Sequence, residues 1–139
     1  MISKKTIYGL KAAILLAKRY DSGPALIIDL AQEGHIPKKF LEAILLEMKK
    51  EGILNSKKGK GGGYVLAKEP RDISIGDIIR TLDGPLSELS FEDDTKETNE
   101  IKIILKEVRD AMSNILNKTS LADVIDRACC GQNLLNYVI

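Results

Sequence analysis

The stretch that most limits how this chain can fold is SKKGKGGGYVLA, residues 56–67, where three lysines and four glycines lead into a short apolar run. A lysine–glycine loop can cradle a nucleotide phosphate, lie along a nucleic-acid backbone, or simply reverse the chain. The phosphate-cradling kind needs Gly-Lys followed by Ser or Thr, to ligate magnesium, and then a helix whose N-terminus faces the phosphate. Here Gly59-Lys60 is followed by Gly61, and the chain continues as a strand. The nucleotide reading fails on both counts. ILNS (53–56) and YVLA (64–67) instead read as two short strands around a glycine-rich reversal.

What precedes the hairpin gives it meaning. Residues 3–20 read as a helix capped by Ser3, with Ile7, Leu10, Ile14 and Ala17 on one face and Lys4, Lys11 and Lys18 on another. DSGP (21–24) ends it. A short helix follows through IIDLAQE, Gly34 turns the chain at GHI, and Pro37 opens a further helix where its missing N–H costs nothing. Leu41, Ile44, Leu45 and Met48 form that helix's apolar stripe, and Gly52 closes it. Short helix, turn and second helix make a helix-turn-helix pattern, although any two packed helices share it. A lysine-bearing hairpin directly behind such a pair reads as a wing, whose glycines let the backbone approach a groove or a phosphate.

Beyond the wing, ISIGDIIRTLDGP (73–85) reads as a short helix with Ser74 and Asp77 spaced as a capping box and Gly84-Pro85 as its stop. Residues 86–100 are polar and acidic, a loop or linker running into a helix start. From about 100 to 118 runs the longest periodic segment. Ile101, Val108 and Ile115 recur every seven residues, Ile104 and Ala111 fall between them, and Leu105 and Met112 lie alongside. β-branched residues at one heptad position favour two-stranded pairing, while the same spacing also serves a helix docked on its own domain. Thr119 or Ser120 then caps a last helix, LADVIDRACC, before a tail, GQNLLNYVI.

Composition narrows the class. The chain has 139 residues, 44% hydrophobic and 29% charged, as expected of one soluble domain with an appended element. Apolar runs stop at six residues, AAILLA (12–17), so no membrane span is expected, and the N-terminus lacks the pattern of a signal peptide. Two adjacent cysteines, Cys129 and Cys130, make no disulfide framework, and a cytoplasmic location is the expectation. Residues 1–86 carry 15 Lys+Arg against 10 Asp+Glu, a net +5, whereas residues 87–139 carry 6 against 10, a net −4. Such separation fits a half that faces a polyanion and a half that does something else. No paired carboxylates, Ser-His-Asp set or metal-ligand spacing appears, so an enzyme is not expected.

In their order and spacing, KKTIYGLKAAILLA, DLAQEGHIPKKFLEAILLEMKKEGIL, GKGGGYVLA and ISIGDIIRTLDGPL resemble the Rrf-two (BadM-type) family of bacterial winged-helix regulators, which includes IscR-, NsrR- and CymR-like repressors. The resemblance covers nearly all of residues 3–86, and the Gly-Gly-Gly-Tyr wing combined with Gly-Asp-Ile-Ile and the Gly-Pro stop is specific. It implies a mainly α fold with a small β-hairpin, organised as a winged helix-turn-helix DNA-binding domain (1–86), an acidic linker (87–100) and a long dimerisation helix with a C-terminal helix (101–139). By the same resemblance, Lys5 and Tyr8 meet the DNA backbone, Lys38, Lys39 and Phe40 open the recognition helix, and Glu42 takes its acidic base-reading position. Lys58 stands where many members place a wing arginine that enters the minor groove.

Physical chemistry adds Lys57, Lys60, Gly61 and Gly62 at the wing tip, since ammonium groups attract phosphate and a carboxylate such as Glu42 can accept from a cytosine amino group. Glu42 can equally pair with a neighbouring lysine. Ile101, Ile104, Leu105, Val108, Met112 and Ile115 are the expected dimerisation residues. Iron–sulfur members carry three cysteines ahead of that helix, but residues 86–100 contain none, and His35 lies in the turn of the helix pair. The expectation is therefore a homodimeric regulator, most simply a repressor, that binds a pseudo-palindromic duplex operator without metal or cofactor. Two alternatives stay open: a thiol-based redox sensor acting through Cys129 or Cys130, and control by docking of a protein partner on the acidic half.

Overall fold

The computed structural model describes residues 2–85 and 98–138, with side chains as far as residue 130. α1 (Lys4–Lys18) starts where the Ser3 hydroxyl accepts the Thr6 N–H at 3.2 Å. Its buried face is Thr6, Gly9, Ala12, Ala13, Leu16 and Ala17. The stripe read from the sequence is turned inward only in part: Ala17 is buried, Leu10 and Ile14 pack half-buried against the core, and Ile7 is 42% exposed. Close approach is the reason. A Cβ on Gly9 would stand 2.2 Å from Leu82 Cδ1 and 3.4 Å from Ile44 Cγ2, so the small face admits neighbouring helices against the α1 backbone.

α2 (Ile27–Gly34) and α3 (Lys38–Lys50) form the helix pair. The residue that turns the chain between them is His35, left-handed with φ 51°, whereas Gly34 is still helical. Gly34 is small for another reason: a Cβ there would meet Ile36 Cδ1 at 2.9 Å. α3 buries Leu41, Ile44, Leu45 and Met48, the stripe read from the sequence. It ends as expected at Gly52, φ 80°, where Ile53 N–H donates to the Met48 carbonyl (3.0 Å) and Gly52 N–H to Lys49 (3.1 Å). This is a Schellman closure, and it aims the chain directly into the hairpin.

β1 (Leu54–Lys57) and β2 (Gly63–Leu66) pair antiparallel, with Leu54 opposite Leu66 and Lys57 opposite Gly63. Ala25, just before α2, adds a bridge to Tyr64 through reciprocal bonds of 2.9 and 2.8 Å. The hairpin is thereby held against the helix pair. Gly63 sits at this junction with φ 144°, and a Cβ on it would lie 2.3 Å from the Ala25 carbonyl oxygen.

A 3₁₀ turn at Pro70–Asp72 leads to α4 (Ile75–Asp83), and the C-terminal half is α5 (Asn99–Lys118) and α6 (Leu121–Val138). Ser74 and Asp77 form the expected reciprocal cap, both bonds 3.0 Å. Ser120 and Asp123 repeat it at 2.9 and 3.0 Å, so Ser120 rather than Thr119 caps α6. The two helix starts lie side by side. Ser74 and Ser120 form an antiparallel bridge in which Ile75 N–H donates to the Thr119 carbonyl (2.9 Å) and Leu121 N–H to that of Ile73 (3.0 Å). Leu121 is fully buried and belongs to the same core as Leu30, Leu41, Ile78 and Ile79.

Two sequence readings need comment here. GQNLLNYVI was read as a tail, yet α6 continues through it to Val138. Gly131 costs a helix only about 1 kcal/mol relative to alanine, which the flanking helix formers can offset. The acidic segment read as a loop falls, over residues 86–97, outside the described residues.

α1 is also fastened at its N-terminus. Ser3 N–H donates to Asp83 Oδ2 at 2.8 Å, across 80 residues of sequence. Partial burial works against the Asp83 carboxylate, but the Ser3 hydroxyl and N–H and the Thr6 hydroxyl outweigh it and hold its pKa below the usual value. A depressed carboxylate contributes stability above its unfolded pKa, near 4, and loses it as pH falls through the folded value. Asp83→Ala should therefore cost about 1 kcal/mol at pH 7. Urea unfolding at pH 7 and pH 3 checks this: the gap between variant and parent should narrow at the lower pH.

Candidate nucleic-acid interface

α3 presents the face opposite its buried stripe to solvent and stands between two clefts. On one side, Lys4, Lys5 and Tyr8 of α1 and Phe40, Ala43 and Ile44 of α3 line an apolar groove of about 360 Å³. Phe40 is 59% exposed there. Tyr8 lies beneath two ammonium groups, Lys4 Nζ at 5.9 Å and Lys11 Nζ at 6.0 Å from its ring centre. Lys5 does not point freely outward; its Nζ pairs with Glu47 Oε2 at 2.6 Å. With both partners more than 40% exposed, the pair is weak and leaves Lys5 available to a stronger anion.

On the other side, Lys38, Glu42 and Lys49 of α3 face Ser56, Lys57, Lys58, Gly63 and Tyr64 of the hairpin across a cleft of about 560 Å³, with Leu26, Ile27 and Ile28 at its end. The starts of α2 and α3 both border this cleft, and neither carries a side-chain cap. Their first N–H groups lack intrahelical acceptors and carry the positive end of the helix dipole. An anion is the natural partner for such a place. Lys39 lies on the outer face between the clefts, and Lys60 and Gly61 are exposed at the hairpin tip. Gly62 is buried within the turn, its missing Cβ explained from inside: that atom would lie 2.3 Å from the Lys57 carbonyl oxygen.

The fold thus gathers Lys5, Tyr8, Lys38, Lys39, Phe40, Glu42, Lys57 and Lys58 around one helix, although they span more than fifty positions of sequence. Several residues at the same surface escaped the sequence reading. Lys4 and Lys11 flank Tyr8, Lys49 lines the wing cleft, and Ala43, Leu46 and Lys50 occupy the outer face of α3 with Lys39. The signal was available: positions 39, 43, 46 and 50 recur with helical period opposite Leu41, Ile44, Leu45 and Met48.

The expected dimerisation residues occupy one apolar face of α5, open on one flank and packed on the other. Ile101 (43%), Ile104 (53%), Val108 (39%) and Ile115 (63%) are exposed along one stripe. Met112 packs against the protein's own core, and Leu105 is half-buried on that inward flank. The C-terminal end of α5 is tied to α4, where Arg80 reaches Asp77 Oδ1 at 2.7 Å and also bonds Asn117 Oδ1. Partial burial disfavours the Asp77 carboxylate, but the Ser74 N–H, the Arg80 guanidinium and the Ser74 hydroxyl together lower its pKa. Gly76 makes room for this contact, since a Cβ on it would lie 2.4 Å from Asn117 Oδ1.

Cys129 and Cys130 are both exposed on α6. Neighbours on a helix diverge by about 100°, so the two thiols do not jointly hold a cluster in the usual way. They do not fit an iron–sulfur cluster, and residues 86–100 contain no cysteine. Among the described residues no group of three or more Cys, His, Asp or Glu is arranged to hold a metal ion, and no helix is long and apolar enough to cross a membrane.

Comparison with known proteins converges on one family. The family model for Rrf2, described as an iron-dependent transcriptional regulator, matches residues 2–127. The HTH-type transcriptional regulator CymR of Bacillus subtilis is 38% identical over 124 residues, covering 88% of each chain. The solved structure of CymR, the global cysteine regulator of B. subtilis, superposes with a TM-score of 0.83 at 35% identity, over 91% of this chain and 97% of that one. IscR of T. potens gives 0.78 at 33% identity over 92% and 88%. The oxidized form of Staphylococcus aureus CymR gives 0.79 at 32% identity over 89% and 94%.

Proposed function

The chain belongs to the Rrf2 family of helix-turn-helix transcriptional regulators, and from that premise we propose that it is a homodimeric, cluster-free repressor of a pseudo-palindromic operator in the cytoplasm. Members of this family are DNA-binding regulators, not enzymes, and so is this protein. The observation that carries the reading is α3 standing between two lysine-bordered clefts, one closed by α1 and the other by the hairpin. A helix so placed enters a major groove while its flanks engage phosphates. Lys4, Lys5, Lys11, Lys57, Lys58 and Lys60 then contribute salt-dependent affinity, and Glu42 contributes selectivity.

Dimerisation is supported by the exposed stripe on α5. Four large aliphatic side chains on one helical face leave apolar surface that a second copy covers by two-fold symmetry. The half-sites of the operator mirror that axis. The cluster-free reading rests on the cysteine placement already described, and it separates this chain from the iron dependence in the family's description. A second reading, thiol control of DNA binding, is favoured by the exposure of Cys129 and Cys130 and by the existence of an oxidized form of a CymR relative. Docking of a protein partner on the acidic half is a further route of control.

Selection of bound sequences from random duplexes tests the function directly, with a shared palindromic motif as the expected result. Ile104→Asp with Val108→Asp should produce folded monomers that no longer bind the selected operator. Sedimentation at micromolar concentration checks this, and a monomeric parent protein would refute the dimer.

Lys58→Ala with Lys60→Ala should weaken all duplexes and lower the salt slope by roughly one unit per lost contact per site. Glu42→Ala should instead relax preference at one base pair of each half-site, by about 1–3 kcal/mol. Competition between cognate and random DNA separates the two effects, and identical behaviour of the two variants would sink the division of labour.

Reconstitution with iron and sulfide under anaerobic conditions should leave the protein colourless and its operator affinity unchanged. A stable chromophore with stoichiometric iron, lost when both cysteines become serine, would overturn the cluster-free reading.

A further inference from the structure

Leu46 is an anomaly on α3. It is 48% exposed and lies near the centre of the face opposite Leu41, Ile44, Leu45 and Met48. Ala43, one turn toward the N-terminus, is exposed beside it. A lone exposed leucine needs no explanation on most surfaces. This one stands mostly among lysines: Lys39 and Lys50 share its face, and Lys38, Glu42 and Lys49 border it on the wing side. An apolar centre within a rim of four ammonium groups and one carboxylate calls for a polyanion that offers apolar points of its own.

In the major groove of duplex DNA the apolar feature of a base edge is the C5 methyl of thymine. We propose that Leu46, assisted by Ala43, reads thymine methyl groups in each operator half-site, a specificity determinant separate from Glu42. This rests on the reading of the protein as an operator-binding regulator. The dimensions agree. Residues three apart on a helix advance about 4.5 Å along its axis, and successive bases on one strand advance about 3.4 Å. The two side chains therefore address the same or adjacent base steps. Neither can hydrogen-bond a base, so the discrimination comes from burying a methyl group rather than from donor–acceptor matching. Lys39 and Lys50 hold the helix against the flanking phosphates while contributing no sequence information.

The test uses the full-length protein and the operator recovered by selection, with each thymine of a half-site replaced in turn by deoxyuridine. This deletes only the methyl group. At one position, or at two adjacent ones, the parent protein should lose roughly four-fold in affinity per half-site, the equivalent of one buried methyl. Leu46→Ala should bind the thymine operator more weakly and show no further loss with uracil at that position. Ala43→Gly reports the smaller share of the neighbouring residue. Leu46 is exposed, so its replacement should leave the unfolding transition unchanged.

A parent protein indifferent to every uracil substitution would overturn the proposal while leaving operator binding intact. So would a Leu46→Ala variant that keeps full sensitivity to the methyl. An equal loss on thymine, uracil and random duplexes would mark Leu46 as a non-specific contact, also against the proposal. Failure to select any preferred sequence would remove the regulator reading itself and this inference with it.

Discussion

The structure depends on the antiparallel bridge between Ser74 and Ser120. Two backbone bonds of 2.9 and 3.0 Å join the segment entering α4 to the segment entering α6, and each then begins its helix with its own Ser/Asp cap. One small patch thus satisfies the first N–H groups of two helices and lowers fully buried Leu121 into the core of the winged-helix half. Each bond is worth only about 1 kcal/mol net, and burial of the leucine about 2. Their importance is geometric: they set where α5 leaves the molecule.

That placement makes the two halves one mechanical unit. α5 ends at the bridge, and Arg80 links its Asn117 to Asp77 of α4 directly above Gly76. α4 in turn packs on the small face of α1 at Gly9, and its last residue, Asp83, accepts the Ser3 N–H at the start of α1. A chain of close contacts therefore runs from the exposed stripe of α5 to the Lys4–Tyr8 end of α1, beside α3. Any change in how α5 meets a partner has a short physical route to the lysine-lined surface.

The hairpin shows how one composition can serve two ends. Its lysines are exposed and look outward, but Gly62 and Gly63 answer to internal crowding against the carbonyls of Lys57 and Ala25. The glycine run that reads as an adaptation to a ligand is first an adaptation to the fold. Anchoring through Ala25 and Tyr64 ties the base of the wing, so that Lys58 and Lys60 sit on a short tip.

Much of this was legible in sequence because it depends on local rules. Pro37 and Gly52 bound α3, its apolar stripe follows from helical period, and the Ser74–Asp77 cap and the hairpin are written in residues a few positions apart. Tertiary structure decided what depends on distance through space. The inward face of α1 could not be read from side-chain size, because Gly9, Ala12 and Ala13 are buried for the room they leave rather than the surface they hide. His35 rather than Gly34 takes the left-handed turn, and Gly34 is small instead because a Cβ there would meet Ile36 and Leu15. The division of α5 into an inward flank at Met112 and an open stripe at Ile104, Val108 and Ile115 appears only once the Ser74–Ser120 bridge fixes its rotation. Sequence periodicity determines that such a helix has an apolar face; packing determines how much of it remains for a partner, because burial is a property of neighbours and not of the chain.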